Sequence, residues 1–359
     1  MIDRGRISVM EFSAVLILLR VFSEATSLPG EYKYYGMQRF TVVAVSFVMA
    51  AAAYIPLYCI AANLRYGAGI GVFGRSSALR GFTGALLTVY MLFEAAGTGL
   101  RSHYYASSTV FDSAPSWYFY FFVGIAITAA VYTGLQATSR TGLIVFSGLI
   151  LLFVLMTIAL APEIKTDRLY PAAIDDSGTF MGEVLKEFSL NSELLIFGIL
   201  CESSGSGTKR VIPLYLGISC AMILFMTFLY NTVFGCLTSK LDYPFYTLSS
   251  VSDITLLHRI NGIDVMVWVM AAVLKLSFYA FAFRGLMQSR VRSETALNII
   301  ASVFAVAALI LSWVFTKMPE IFTPIKAFRD TGIPLLAASL LSVPAALILY
   351  RRKKEAERA

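Results

Sequence analysis

The chain has 359 residues, of which 58% are hydrophobic and only 14% are charged, and its mean hydropathy is +0.73. Soluble globular domains carry about 25% charged residues, so this composition excludes an ordinary soluble protein. Repeated long apolar runs predict a single, all-α polytopic membrane domain. The net charge of +7 is no sign of nucleic-acid binding, because basic residues flank membrane spans on the cytoplasmic side.

Ten apolar segments predict membrane-spanning helices, each of which needs about 20 residues. The sixth is the shortest and runs directly into the polar stretch ESSGSG at 202–207. The predicted spans cover residues 8–28, 39–63, 80–102, 117–136, 141–161, 190–204, 211–236, 263–284, 295–316 and 332–350.

Lys and Arg are more frequent in the loops on the side of the two termini than in the opposite loops. This bias predicts that both termini are cytoplasmic and that 351–359 forms a basic cytoplasmic tail. The opening MIDRGR is followed by no A-x-A-like site, which predicts that no signal peptide is cleaved. The external segment 162–189 has apolar residues spaced for a short amphipathic surface helix.

Ionisable residues inside the predicted spans are the most informative feature. Lys275 lies about 18 Å along the eighth span at ~1.5 Å per residue, near the middle of the membrane. A lysine there costs roughly 2.5–3.5 kcal/mol and needs a partner. Arg20 and Glu24 are four residues apart on the first span, the spacing of a direct pair, and Glu94 lies in the third. Two interpretations stay open: a structural cluster that neutralises itself, or a polar cavity where a ligand or proton acts.

A second signal is an internal symmetry of five plus five spans, with repeat one at about 7–161 and repeat two at about 190–350. The first span of each half carries small polar residues beside an acid, SEATS at 23–27 and CESSG at 201–205. Interrupted spans at corresponding positions of two halves point to a transporter binding site. Unwound backbone there can bind a carboxylate through its free N–H groups.

Short motifs that resemble those of enzymes lack the structural context or the partner residues that such enzymes need. GxGxxG at 69–74 follows a membrane span rather than a strand, so it does not predict a dinucleotide site. His103 and His258 are the only histidines and have no HExxH or cysteine partner. The four cysteines lack CxxC spacing and are expected to be free, buried thiols. The sequence therefore predicts no enzyme, metal or cofactor.

Several short motifs resemble the B-subunits of spore germinant receptors. The most specific is in the eighth span, where VWV at 267–269 is followed by LKLSFY at 274–279. Other matching pieces occur in order along nearly the whole chain: Leu28-Pro29, RTGLI at 140–144, DRLYP at 167–171, YPFYTL at 243–248 and HRING at 258–262.

The resemblance implies the amino acid–polyamine–organocation superfamily, with a leucine-transporter-like inverted repeat and broken first and sixth helices. Such B-subunits recognise small nutrients, often amino acids, in the endospore inner membrane, together with an A-subunit membrane protein and a C-subunit lipoprotein. The ligand pocket of this fold lies between the first, third, sixth and eighth spans. On this chain the implied ligand-binding residues are Phe22, Ser23, Glu24, Ala25, Tyr90, Glu94, Gly198, Cys201, Glu202, Ser277 and Phe278.

The chain departs from many relatives in lacking glycines at 22–24 and a proline late in the sixth span. Fewer bare N–H groups are then available for a carboxylate, and Glu24 could instead meet an amine or be occupied by Arg20. We hypothesise that Lys275, with Arg20 nearby, stands where related transporters bind a coupling cation, and that Glu24 or Glu94 is its counter-ion.

The predicted function is that of a germinant receptor B-subunit, which binds a small nutrient and triggers germination. The alternative is a free-standing, proton-coupled transporter of amino acids or amines. A membrane scaffold without a ligand is a third class, in which the buried charges only pack helices together.

Overall fold

The computed structural model describes residues 7–27, 33–63, 77–109, 115–169, 176–204, 207–252, 260–288 and 290–356, and the regular structure in these ranges is helical. The α-helices are α1 (Val9–Ala25), α2 (Gly36–Ala62), α3 (Ser77–Thr109), α4 (Ser116–Thr133), α5 (Leu135–Leu160), α6 (Ser177–Ser189), α7 (Glu193–Leu200), α8 (Val211–Phe234), α9 (Pro244–Val251), α10 (Ile260–Met287), α11 (Glu294–Lys317), α12 (Pro319–Asp330), α13 (Ile333–Leu340) and α14 (Val343–Ala356).

The predicted all-α membrane fold is confirmed at this level. Nine predicted spans coincide with one helix each, and the tenth is divided into α13 and α14 by a turn at 341–342. In the described part, six segments are long and apolar enough to cross a membrane: Gly36–Ala62, Ser116–Thr133, Leu135–Glu163, Thr208–Lys240, Gly262–Met287 and Glu294–Lys317. The chain is therefore an integral membrane protein, and the inverted repeat stays a prediction.

Helices α1 and α10 form the centre of the bundle. Helix α1 begins with a capping box in which Ser8 and Glu11 each bond the other's backbone N–H. Its residues from Phe12 to Ala25 are all buried, including the charged side chains of Arg20 and Glu24, because other helices surround it. The span in α10 is the most buried of the six, whereas α5 exposes apolar side chains such as Ile144 and Ile158. The outer helices thus shield two central ones.

The first helix is not broken where the sequence suggested. Helix α1 is regular through Ser23 and Glu24, and the N–H of Thr26 still bonds the Phe22 carbonyl. The polar residues at 23–27 therefore end the helix rather than interrupt it. The matching motif Leu28-Pro29 lies outside the described residues, as do the GxGxxG stretch at 69–74 and His258-Arg259.

The sixth predicted span is confirmed as short. Helix α7 has eight residues and gives way to a single 3-10 turn at Cys201–Ser203. Residues 205–206 of the predicted break lie outside the described part. The N–H of Ile7 bonds the Ser203 carbonyl at 3.1 Å, which places the start of α1 beside the end of α7.

Helix α6 confirms the amphipathic helix predicted in the loop, but one of its faces is buried within the bundle. Asp176 caps it by accepting hydrogen bonds from the N–H groups of Gly178 and Thr179. Bonds from Thr179 and Gly178 hold the pKa of Asp176 below its usual range. At the other end Val184, Glu187 and Phe188 are buried, whereas Met181 on the opposite face is exposed, so α6 packs its inner face into the bundle.

The cysteines are free thiols, as predicted, but not all are buried. Cys201 is buried, Cys59 and Cys220 are half-buried, and Cys236 is exposed.

Close approach of α5 to α1 depends on Gly142. A Cβ at this position would lie 2.4 Å from Cγ2 of Val15, whose rotamer is restricted in a helix. We expect Gly142→Ala to destabilise the protein by about 1–3 kcal/mol through overpacking, measured as thermal unfolding in detergent. The control is Gly148→Ala on the same helix, where the nearest atom would be 4.0 Å away. Adding Val15→Ala should restore stability, and a neutral Gly142→Ala alone would contradict the steric argument.

Candidate functional site

Lys275 is fully buried and binds two other elements of the bundle. Its Nζ lies 2.6 Å from Oε1 of Glu193, in the first turn of α7. It also donates to the Ser23 hydroxyl and lies 3.4 Å from the Leu19 carbonyl, both on α1. The partner that Lys275 was expected to have exists, but it is Glu193 rather than Glu24 or Glu94. The ion pair joins the central helix α10 to the short helix α7.

A second group of charges joins α1, α2 and α6. Arg20 and Glu24 form the predicted i,i+4 pair, with Nη1 and Oε2 3.5 Å apart. Arg39 approaches Glu24 at 2.8 Å, and Glu187 accepts hydrogen bonds from both Arg20 and Arg39. The Arg20 guanidinium also lies 5.5 Å from the ring centroid of Phe47, within cation–π range. All four ionised side chains are buried, so each depends on the others for its charge balance.

Asn191 and Tyr215 connect the two groups. The amide oxygen of Asn191 accepts from Nε of Arg20 at 3.2 Å and from the Tyr215 hydroxyl at 3.0 Å. The same hydroxyl is 3.3 Å from Oε2 of Glu193, which leads to Lys275. The amide nitrogen of Asn191 donates to the Phe188 carbonyl, which fixes the orientation of its side chain. The members of this central network are Arg20, Glu24, Arg39, Glu187, Asn191, Glu193, Tyr215 and Lys275.

The central network is electrically balanced. It contains three basic and three acidic side chains, and none of these six is more than 5% exposed. Charges inside a membrane bundle are expensive unless they are paired, and they commonly mark a ligand or ion pathway. The central network links α1, α2, α6, α7, α8 and α10. A change in the position of one of these helices therefore alters its contacts with the others.

A separate buried carboxylate, that of Asp264, stabilises the start of α10 through hydrogen bonds. Asp264 accepts from Nε1 of Trp268 at 2.6 Å, from the Tyr105 hydroxyl at 3.0 Å and from the Ser249 hydroxyl at 3.1 Å. These donors come from α10, α3 and α9. Phe22 packs against the same Trp268 ring, with centroids 6.3 Å apart. Asp264 thus holds three helices together close to the end of α1.

The implied ligand-binding residues do not form one group. Ser23 and Glu24 belong to the polar centre, and Phe22, Ala25, Ser277 and Phe278 are buried residues of α1 and α10, the helices that carry Ser23, Glu24 and Lys275. Ser277 donates to the Val273 carbonyl of its own helix. Tyr90 is half-buried, and Glu94 is only 4% exposed.

The residues from the end of α7 lie away from this centre. Cys201 follows Glu193 by eight positions, about 12 Å along a helix axis. Gly198 faces α2, because a Cβ there would be 3.1 Å from Leu57. Glu202 is exposed to solvent. Of the three, none touches the central network through a described hydrogen bond or ion pair.

Sequence reasoning missed Arg39, Glu187, Asn191, Glu193 and Tyr215. The acids and Arg39 lie near the ends of predicted segments, where a charged residue normally reaches water. One signal was available for Glu187: it shares the apolar face of α6 with Val184 and Phe188, at helical spacing.

These features define an integral membrane protein with a buried, charge-balanced centre between its helices. The family model for "Spore germination protein" (Spore_permease) matches residues 84–319. No curated protein shows significant similarity to the chain. Because the match covers well over half of the sequence, the chain belongs to the spore germination protein family, the family of germinant receptor B-subunits. Its members are receptors or permeases rather than enzymes. The matched range includes Glu187, Glu193 and Lys275.

Proposed function

We propose that this chain is the B-subunit of a germinant receptor and binds a small nutrient, an amino acid or a related molecule, in the middle of the membrane. Binding triggers germination together with an A-subunit and a C-subunit lipoprotein. The location is the endospore inner membrane, with both termini on the core side. The pocket lies between α1, α3, α7 and α10, beside Lys275 and its partner Glu193.

The observation that carries this proposal is the position of Lys275. It is a fully buried cation in the middle of the most buried span, and its partner Glu193 belongs to a helix of only eight residues. A helix that ends within the bundle can shift more readily than one that crosses it. A ligand that binds beside α7 would therefore change the Lys275–Glu193 contact and, through Asn191 and Tyr215, the rest of the central network. Family membership supports the same conclusion.

The proposal is tested with the purified chain and with spores. One class of nutrient is expected to raise the unfolding temperature in proportion to its concentration over Kd. Spores that lack the chain should lose the response to that nutrient and regain it when the gene is restored. Liposomes that contain only this chain should not accumulate the labelled nutrient; accumulation would identify a transporter instead. If no nutrient stabilises the protein and germination is unaffected, the proposal is wrong.

A further inference from the structure

His103 lies near the end of α3, one residue beyond the predicted third span, at a place where three helices meet. One turn earlier α3 approaches α11 closely, because a Cβ on Gly99 would be 2.9 Å from Oγ of Ser312. The Tyr120 hydroxyl of α4 accepts a hydrogen bond from Ser312 at 3.1 Å and lies 2.8 Å from Oγ1 of Thr316. Helices α3, α4 and α11 are therefore joined around this position.

The imidazole ring of His103 is enclosed by aromatic rings. Its centroid lies 5.2 Å from that of Tyr120 and 5.7 Å from that of Phe119, both on α4, and 5.8 Å from that of Tyr104 on its own helix. The residue is only 7% exposed. Its Nδ1 atom is buried and has no hydrogen-bond partner among the described residues. Such an atom costs free energy of folding, so its presence calls for an explanation.

The groups around His103 do not favour a proton on the ring. The charge that acts on it is Lys317 at the end of α11, and no carboxylate of the described residues does so. Arg101 lies two residues earlier on α3, about 200° around the helix axis. Tyr104 and Tyr120 are neutral phenols at physiological pH and cannot balance an imidazolium. Burial, and after it Lys317, hold the pKa of His103 below its usual value, so the ring is neutral at pH 7.

A proton on His103 would place a second positive charge beside Lys317, in a site that removes the ring from water. Folding therefore disfavours the protonated form, whereas the unfolded chain accepts the proton at its ordinary pKa of about 6.5. Because the unfolded state then binds more protons, stability is unaffected above about pH 6.5 and falls as the pH decreases from there towards the lower pKa of the folded state. Mild acid thus weakens the packing of α3 against α4 and α11.

The same end of α3 supports two other helices. Tyr105, the second residue after His103, donates to Oδ2 of Asp264 in α10 at 3.0 Å. Its ring also meets that of Tyr243, next to α9, edge-on at 5.1 Å between centroids. A change in the packing of His103 therefore reaches the start of α10.

We propose that His103 is a pH sensor, and that its protonation in mild acid loosens the C-terminal end of α3 from α4 and α11. The inference goes beyond the proposed function and does not depend on it, because none of the residues that surround His103 belongs to the central network.

The test compares the wild type with His103→Phe by thermal unfolding in detergent between pH 8 and pH 5, the range in which histidine changes its charge. Phenylalanine fills the same aromatic enclosure and removes both the unpartnered nitrogen and the proton. The unfolding temperature of the wild type should fall as the pH decreases below about 6.5, and His103→Phe should abolish most of that fall. Lys317→Met should reduce the fall in the wild type and should have no further effect on it in His103→Phe.

The other histidine of the chain provides the control, since His258→Phe should keep the pH dependence of the wild type. Hydrogen exchange, corrected for the pH dependence of the intrinsic rate, should rise in acid first at 103–109 and at the start of α4, and only in proteins that retain His103. The inference is wrong if the wild type shows no fall, if His103→Phe keeps the full fall, or if exchange rises equally in α5. If His103→Phe does not fold, His103→Gln provides the same comparison with a polar side chain that does not titrate.

Discussion

Replacing Lys275 by methionine is expected to destabilise the protein by about 3–5 kcal/mol, because it strands the buried Glu193 carboxylate. Neither side chain of this pair is exposed. The other described donor to Glu193 is the Tyr215 hydroxyl, 3.3 Å from Oε2, which cannot neutralise a charge. The measurement is thermal unfolding of the purified variant in detergent. Lys317→Met, at the exposed end of α11, is the matched control and should stay within about 0.5 kcal/mol of the wild type.

A double variant separates packing from function. Lys275→Met combined with Glu193→Gln removes both charges, so most of the lost stability should return. Under the proposed function, spores carrying this stable double variant should still fail to respond to the nutrient. If they germinate normally, the ion pair only holds α7 to α10, and the functional role of Lys275 is wrong. If the single variant is as stable as the wild type, the contact is not the buried pair that the geometry describes.

The helices were predictable from the lengths of the apolar runs, whereas the breaks between helices were harder to locate. The eighth span, predicted at 263–284, is α10 at 260–287, because a long apolar run between charged flanks leaves few alternatives. The division between α13 and α14 occurs inside an apolar run. Its signal was Pro344 in the first turn of α14, since proline starts a helix more easily than it continues one. Helix α12 has too little apolar content to be recognised as a span.

Sequence reasoning found only some residues of the candidate site, and the reason is geometric. Lys275, Arg20 and Glu24 were found because charges in the middle of apolar runs are conspicuous. Glu193 and Glu187 flank the turn between α6 and α7, and sequence places that turn near the membrane surface. In the structure the turn is buried, since Asn191 and Ser192 are at most 1% exposed. The distance of a residue along the chain from the centre of a span therefore does not indicate how deeply it is buried when a connecting helix such as α6 packs into the bundle.

Glu187 and Glu24 are the two carboxylates that Arg20 and Arg39 share, and Glu187 accepts a hydrogen bond from each arginine. Loss of Glu187 is therefore expected to be as damaging as that of Lys275. Glu187→Gln would leave two buried guanidinium groups with Glu24 as their only described carboxylate. We expect destabilisation of about 3–5 kcal/mol, again from uncompensated buried charge. Thermal unfolding in detergent measures the size of the effect.

The position of the destabilised region provides the sharper test, because the Glu187 carboxylate bonds α6 to α1 through Arg20 and to α2 through Arg39. Hydrogen exchange in Glu187→Gln should rise first in α6 and at the start of α2, where Arg39 lies, before α10 is affected. Glu183→Gln is the comparison on the same helix and should cost less, since Glu183 has one lysine at 3.9 Å and a hydrogen bond from the Lys33 N–H rather than two buried guanidinium partners. Equal effects of the two substitutions would mean that α6 is held by its apolar face, through Val184 and Phe188, and that the charge network contributes little to its position.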